Sequence, residues 1–337
     1  MKTTISQKSV LYKVLKNIKE NNLIQADDSV IVALSGGPDS ICLLDVLLSL
    51  KNQLGINLLA CHYNHRLRGE DSYNDEVFVK KICSERGVEC IVGSAAKENL
   101  FKNEDSAREA RYAFFQKILG ERRGAKIAVA HNSNDLAETY LMRLLRGSGI
   151  FGLISIPSAR ENFIRPLLSV SRLDIESYLY DKKIAFRIDK TNKNINITRN
   201  FLRLKIFPLL IKNMNPNLIE TLSNSAKVME SDYDLIQKMT KKEYEKMLVK
   251  SQERLIILDR KIWLKIHPAL KRSVIRMAVS NLESLSDITN KQVSEVCQMI
   301  EKGTGKKHKI LPHSLRIELI SGKINISIGI AKSSSQT

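Results

Sequence analysis

The chain has 337 residues, with 54 Lys or Arg against 36 Asp or Glu, so its formal net charge is +18. This length allows two or three domains. No apolar run is long enough to span a bilayer and residues 1–10 lack a signal-peptide core, so we expect a cytoplasmic protein without a membrane partner. The five cysteines form no CxxC pair and no zinc-type spacing, which argues against a cysteine-held metal or cluster.

Apolar strands and helix-period segments alternate through the first part of the chain. After a helix at 6–21, the predicted strands are 30–34, 56–62, 89–92 and 126–131, and the predicted helices are 38–51, 71–85, 104–119 and 134–146. A further helix–strand unit is expected at 169–188, and then a helix at 198–210 that ends at Pro208. This alternation predicts an α/β fold with a doubly wound parallel sheet.

The second part of the chain is smaller and more basic. After a turn-rich linker at 213–217, the patterns predict a long helix at 218–249 and two shorter helices at 267–281 and 290–301. They also predict four short strands, at 255–258, 310–311, 315–320 and 324–328. Residues 198–337 hold 25 basic and 13 acidic side chains, and this excess indicates a polyanionic partner, with nucleic acid ahead of membrane. We therefore predict a nucleotide-binding catalytic domain at 1–212, a basic nucleic-acid-binding region at 213–330, mixed in secondary structure, and a disordered tail at 331–337.

The most informative motif follows the first predicted strand. It is the turn Ser35, Gly36, Gly37, Pro38, Asp39 and Ser40, which runs directly into a helix. Glycines let the backbone approach a phosphate, serines add hydroxyl donors, and proline suits the first helical turn. The motif is neither a GxxxxGK[ST] loop nor a GxGxxG fingerprint. Its carboxylate would repel a polyphosphate unless a cation lay between them, so Asp39 predicts Mg²⁺. The SGGxDS pattern resembles the PP-loop ATP pyrophosphatase superfamily.

Four other polar segments are candidates for the same site, and each also has a plainer interpretation. Asp135 and Glu138 share one face of a first helical turn, where the helix dipole alone would favour carboxylates. The arginine pairs Arg108/Arg111 and Arg199/Arg203 suit phosphate, although charged pairs at this spacing also occur on solvated faces. A basic loop at 62–68 contains an HxxH pattern, for which zinc is the less favoured interpretation because no third ligand is evident.

Together these segments resemble the tRNA(Ile)-lysidine synthetase family of PP-loop enzymes. The matching pieces are SGGPDS, HYNHRLRGEDSYND, EDSAREARY, AHNSNDLAETYLMRLLRGSGIFGL, IRPLLSVSR and DKTNKNINITRNFLR. They cover about residues 30–210, whereas ILPHSLRIELISGKINI resembles the family's tRNA-binding extension more loosely.

The resemblance implies a reaction and a set of roles. ATP would adenylate C2 of the wobble cytidine in the CAU anticodon of tRNA(Ile), and L-lysine would then displace AMP, which changes the tRNA from methionine to isoleucine specificity. The implied catalytic residues are Asp39, Asp135, Glu138 and Arg199. ATP would be bound by residues 35–40 with Arg108 and Arg111, and Mg²⁺ by Asp39. Lysine would be bound by Asp135, Glu138 and Asp189. The tRNA would be bound by His65, Arg68, Arg143 and Arg203.

Some features of the sequence leave alternatives open. Family members commonly have two adjacent carboxylates where this chain has Asn134-Asp135, so Asn134 weakens a metal or lysine contact unless it serves only as a helix cap. The residues do not identify the group that takes the proton from lysine, nor the oligomeric state, a homodimer included. A tRNA thiolase is disfavoured because CxxC is missing, an amidotransferase because no glutaminase region is present, and a non-catalytic RNA-binding protein because Asp39, Asp135 and Glu138 are all retained.

Overall fold

The computed structural model describes residues 5–67, 69–96, 104–154, 156–188, 194–282, 288–303 and 308–328. The chain forms two compact units, one of Met1–Arg146 with Ile154–Ala226 and one of Gly147–Leu153 with Lys227–Thr337. The functional boundary predicted at 212/213 stays a prediction. Over the described ranges, no helix combines the length and the apolar character needed to cross a membrane.

A six-stranded sheet organises the first unit, in the order β3-β2-β1-β4-β6-β5. Its strands are β1 (Ser29–Ala33), β2 (Asn57–Asn64), β3 (Cys90–Ser94), β4 (Lys126–Ala128), β5 (Ala159–Arg160) and β6 (Phe163–Ile164). All neighbours pair in parallel except β5 and β6. The predicted α/β fold with a mostly parallel sheet is therefore confirmed.

The first unit also contains helices, five of which pack against the two faces of this sheet. The helices are α1 (Ile5–Glu20), α2 (Pro38–Leu54), α3 (Glu70–Glu85), α4 (Glu104–Glu121), α5 (Ser133–Leu145), α7 (Arg172–Asp181), α8 (Thr198–Phe201) and α9 (Phe207–Asn213). Side chains alternate along β1, so Val30 and Val32 pack in one core with α1, α2, α3 and α7, whereas Ile31 packs in a second core with α4. Because a parallel sheet is buried on both faces, its ligands are expected beyond the carboxyl ends of its strands.

Two predictions for the first unit were wrong. Residues 182–188 form no strand; their backbone instead passes the glycine turn, where the Arg187 N–H donates to the carbonyl of Gly36 at 2.9 Å. The helix that begins at Thr198 also does not end at Pro208. A π-helical stretch, Leu202–Ile206, joins α8 to α9, and this wider turn precedes the proline, which cannot donate the usual hydrogen bond.

The second unit contains a five-stranded antiparallel sheet in the order β7-β8-β11-β10-β9. Its strands are β7 (Leu248–Gln252), β8 (Leu255–Asp259), β9 (His308–Leu311), β10 (Leu315–Ile320) and β11 (Lys323–Ile328), and its helices are α6 (Ile150–Leu153), α11 (Arg260–Lys265), α12 (Pro268–Ser280) and α13 (Asn290–Lys302). The 30-residue helix α10 (Leu218–Met247) begins in the first unit and continues into the second. Trp263 is fully buried in the core of this unit.

Strand β7 was missed because its residues carry no strand signal. All five of its side chains are exposed, so no alternation of apolar and polar residues marks this edge strand. The helix predicted for 218–249 therefore ends at Met247, and Leu248 pairs with Leu258 of β8 instead.

Candidate active site

The glycine turn and the start of α5 border one open cleft in the first unit, with a volume of about 2820 Å³. Gly36 has a φ of +84°, a left-handed conformation that favours glycine. Gly37, which has no side chain to cap the helix, is the N-cap residue of α2. Ser35 Oγ accepts from the N–H of Gly37 at 3.3 Å and lies 3.2 Å from Ser40 Oγ. These hydroxyls and first-turn amides lie together at the position where the sequence predicts a phosphate cradle, and their binding of phosphate stays a prediction.

Asp39 is held by two side chains whose role the sequence did not reveal. Its Oδ1 accepts from Asn132 Nδ2 at 3.0 Å, and its Oδ2 accepts from Arg172 Nη1 at 3.1 Å. Burial raises the pKa of Asp39, and Asp135 raises it further, whereas Arg172 and Asn132 act in the opposite direction. A cation beside Asp39 would favour its charged form.

The side chains around Asp39 fit a magnesium ion that is bound partly by the protein and partly by the substrate phosphates. They do not fit a metal site made of protein ligands alone. In the described ranges, no group of three or more His, Cys, Asp or Glu side chains could hold a metal ion. Mg²⁺ is commonly bound by one or two carboxylates together with substrate phosphates. Asp39, with Asp135 nearby, offers that arrangement beside the phosphate cradle.

A capping box fixes the start of α5. Asn132 Oδ1 accepts from the N–H of Asp135 at 3.0 Å, and Asp135 Oδ2 accepts from the N–H of Asn132 at 3.1 Å. Asn134 lies between them and its Oδ1 accepts from the N–H of Arg172 at 2.9 Å. The side-chain oxygen of Asn134 thus helps to position Arg172, which donates to Asp39. A carboxylate oxygen could accept the same bond, so the departure at Asn134 leaves this contact intact.

Glu138 is the centre of a buried ion-pair cluster. Its side chain is 2% exposed. Its Oε2 accepts from Arg199 Nε at 2.9 Å and from Arg203 Nη2 at 2.9 Å, and its Oε1 accepts from Arg203 Nε at 2.6 Å. Arg203 Nη2 also lies 3.4 Å from Asp135 Oδ1. Both oxygens of Glu138 are therefore engaged by arginines, and the predicted contact of this carboxylate with lysine stays a prediction.

The other predicted residues lie in several places. Arg108, Arg111 and His65 line the cleft, and Arg108 lies 4.7 Å from the ring centroid of Tyr112. Arg143 donates to the carbonyl of Ile154 at 2.7 Å and is half-buried, so part of its guanidinium serves the fold. Arg68 and Asp189 lie outside the described residues.

His131, at the end of the segment that follows β4, is a further cleft residue that no prediction included. Burial lowers its pKa to about 4; Asp135 opposes the shift, and Arg165, Arg108 and Arg199 add to it. Its Nδ1 is buried without a hydrogen bond to any described residue. The imidazole is therefore neutral at physiological pH.

This neutral ring predicts a pH-dependent stability difference. The unfolded chain takes up a proton at His131 below pH about 6.5, whereas the folded chain does so only near pH 4. Protonation of His131 therefore favours the unfolded chain between these values. The free energy of unfolding is unaffected by this group above pH 6.5 and decreases as the pH falls from 6.5 to 4. We expect His131→Gln to remove about 3 kcal/mol of this pH dependence of the free energy of unfolding, as measured by urea unfolding from pH 7.5 to 4. The exposed His308 provides the control, since His308→Gln should keep the wild-type pH profile.

Comparisons with known proteins agree with this architecture. A family model described as a PP-loop domain matches residues 6–210. A U34-tRNA thiolase from Methanococcus maripaludis, solved with its [4Fe-4S] cluster, has a TM-score of 0.55 and 20% identity, covering 66% of this chain and 78% of that one. At this identity the likeness shows the fold alone.

Curated relatives are more informative. A tRNA(Ile)-lysidine synthase of Clostridium perfringens is 38% identical over 88% of this chain, and one of Clostridium tetani is 34% identical over 93%. A third, from Geobacter sulfurreducens, is 31% identical over 94% of the chain. The chain spans 65%, 68% and 69% of the lengths of these three relatives. With the PP-loop match and these identities, the chain belongs to the tRNA(Ile)-lysidine synthase family of PP-loop proteins.

Proposed function

We propose that this chain joins L-lysine to C2 of the wobble cytidine of tRNA(Ile) bearing a CAU anticodon, with ATP as co-substrate. The reaction adenylates the cytidine with release of pyrophosphate, and the lysine ε-amine then displaces AMP. The product changes the tRNA from methionine to isoleucine specificity. We place this reaction in the cytoplasm.

One observation carries the proposal more than any other. The glycine turn, Asp39, Asp135 of α5 and the arginines Arg199 and Arg203 all border a single cleft, and Glu138 lies behind them as their buried ion-pair partner. An enzyme that adenylates one substrate and then adds a cationic nucleophile needs anion-binding and cation-binding groups side by side, and this cleft has both.

The described residues divide the chemistry between them. The cradle at residues 35–40 holds the pyrophosphate portion of ATP, and Arg108 and Arg111 contact its other phosphate. Asp39 holds Mg²⁺, which when bound stabilises the charge that develops on the leaving pyrophosphate. Arg172 and Asn132 keep the Asp39 carboxylate in place.

The carboxylates of α5 orient the incoming lysine. Asp135 contacts it directly through Oδ1, which Arg203 Nη2 approaches only to 3.4 Å, whereas Oδ2 accepts from the N–H of Asn132 in the capping box. Glu138 acts through Arg199 and Arg203, whose guanidinium groups it holds at the cleft. Asp189 remains a further candidate for the lysine pocket.

The basic region at 213–330 supplies most of the sequence-independent tRNA affinity. Its positive charge neutralises phosphates without reading sequence, so binding should weaken as salt rises. His65, Arg68, Arg143 and Arg203 are proposed contacts of the same tRNA within the first unit.

The direct test is ATP-dependent incorporation of labelled lysine into purified tRNA. We expect labelling of the tRNA(Ile) with a CAU anticodon and none of the initiator tRNA(Met), which has the same anticodon. Pyrophosphate release without lysine labelling would keep the adenylation step and reject lysine as the nucleophile. No pyrophosphate release with either tRNA would reject the proposed activity.

A further inference from the structure

A second pocket, of about 520 Å³, lies wholly within the second unit. One side is the face of α10 that carries Tyr233, Gln237, Lys241 and Tyr244, and the other is α12. Its size is within the usual range for sites that take small ligands. It shares no lining residue with the cleft of the first unit.

Arg276 of α12 is the distinctive residue of this pocket. It is buried, with only 9% of its surface exposed. Its Nη2 donates to Asn290 Oδ1 at 2.6 Å, and its guanidinium lies 4.9 Å from the ring centroid of Phe151. No carboxylate among the described residues forms an ion pair with it. Buried arginines are normally paired, so this one indicates that the pocket takes an anion.

The other residues that line the pocket indicate which chemical group accompanies the anion. Phe151 and Tyr233 meet edge to face, with ring centroids 5.9 Å apart, and Tyr244 lies further along α10. Gln237 and Asn281 add amide groups, and Asn281 Nδ2 donates to Tyr244 Oη at 3.3 Å. Lys241 at the rim lies 4.0 Å from Glu245, so the pocket retains one uncompensated positive charge at Arg276.

We propose that this pocket binds one unpaired nucleotide of the RNA substrate, its phosphate on Arg276 and its base against the aromatic side chains. Stacking on aromatic side chains combined with a nearby cation is how proteins hold single-stranded nucleotides. The inference rests on the proposed function only for the identity of the RNA that supplies the nucleotide.

Equilibrium binding of a tRNA(Ile) transcript to the full chain tests this assignment. We expect Arg276→Gln to weaken binding by about tenfold or more, with a salt dependence smaller by about one phosphate contact. Arg276→Lys keeps the charge and should stay within about threefold of wild type. The matched control is Arg272→Gln, which removes an exposed arginine from the same helix and should also stay within about threefold.

Hydrogen exchange provides the second measurement. Addition of tRNA should protect peptides covering 233–248 and 268–281 in the wild type, and this protection should disappear in Arg276→Gln. The assignment is overturned if Arg276→Lys and Arg276→Gln bind equally well or equally badly, or if tRNA leaves both peptides unprotected. Protection by ATP alone would assign the pocket to a free nucleotide and also overturn it.

The two proposals can fail separately. Arg276→Gln should raise the tRNA concentration needed for half-maximal pyrophosphate release in step with its loss of tRNA affinity, because the pocket contributes binding. If the wild type labels no tRNA with lysine but binding still requires Arg276, the proposed reaction fails and the nucleotide pocket stands.

Discussion

Asp39→Asn is expected to lower tRNA-dependent pyrophosphate release by on the order of 10³-fold while tRNA affinity stays within about twofold. The substitution removes the charge that would hold a cation against the phosphates. It also places an amide in the position of an oxygen that accepts from Arg172. Release of pyrophosphate, measured with ATP and tRNA in excess, reports the adenylation step alone.

Asp45 of the same helix offers a matched control. It accepts from Tyr178 Oη at 2.8 Å and from Lys182 Nζ at 2.7 Å, and it does not line the cleft. Asp45→Asn should therefore lower the free energy of unfolding and leave the rate of the folded enzyme nearly unchanged. If Asp39→Asn instead weakens tRNA binding and leaves pyrophosphate release intact, Asp39 serves the fold and not the phosphates.

The position of the cleft could be predicted from the sequence because it depends on short-range patterns. An apolar strand followed by glycines and a helix fixes where Asp39 lies, and a second strand followed by polar residues brings α5 to the same edge of the sheet. The i,i+3 spacing of Asp135 and Glu138 likewise places both carboxylates on one face of α5. These inferences need no knowledge of distant contacts.

The partners of these residues could not be predicted in the same way. Arg172 reaches Asp39 across 133 positions of sequence, and Arg203 reaches Glu138 across 65. Spacing along one helix shows which face a charge lies on, but not which charge from another element meets it there. Arg172 did lie in a motif that resembles the family, and its position beside the N-cap Ser171 was the available signal.

The burial of Arg276 in the second pocket also could not be predicted from the sequence. Nothing in the sequence separates Arg276 from its exposed neighbour Arg272, since both lie in an amphipathic helix. Only packing shows that one is buried against Phe151, a residue more than a hundred positions earlier in the chain.

Glu138→Gln is expected to cost about 2–3 kcal/mol of unfolding free energy and to disable lysine transfer, because it leaves Arg199 and Arg203 without their shared carboxylate. If Glu138 acts through these arginines, Arg203→Gln should produce the same kinetic defect, and the double variant should be little worse than either single variant. A carboxylate that binds lysine directly would behave differently. Its loss would raise the KM for lysine, and the effect of Arg203→Gln would then add to it.

The measurement is a double-mutant cycle on lysine labelling, with the lysine concentration varied, and pyrophosphate release followed in parallel. Glu176→Gln is the control, since Glu176 lines the cleft but is largely exposed and pairs only with Arg172 among the described residues, at 3.1 Å. Non-additive losses of labelling at saturating lysine would establish the arginine-positioning role. Additive losses with a raised KM for lysine would return Glu138 to the lysine-binding role that its position on α5 first predicts, and would require the amine to displace an arginine from a nearly inaccessible carboxylate.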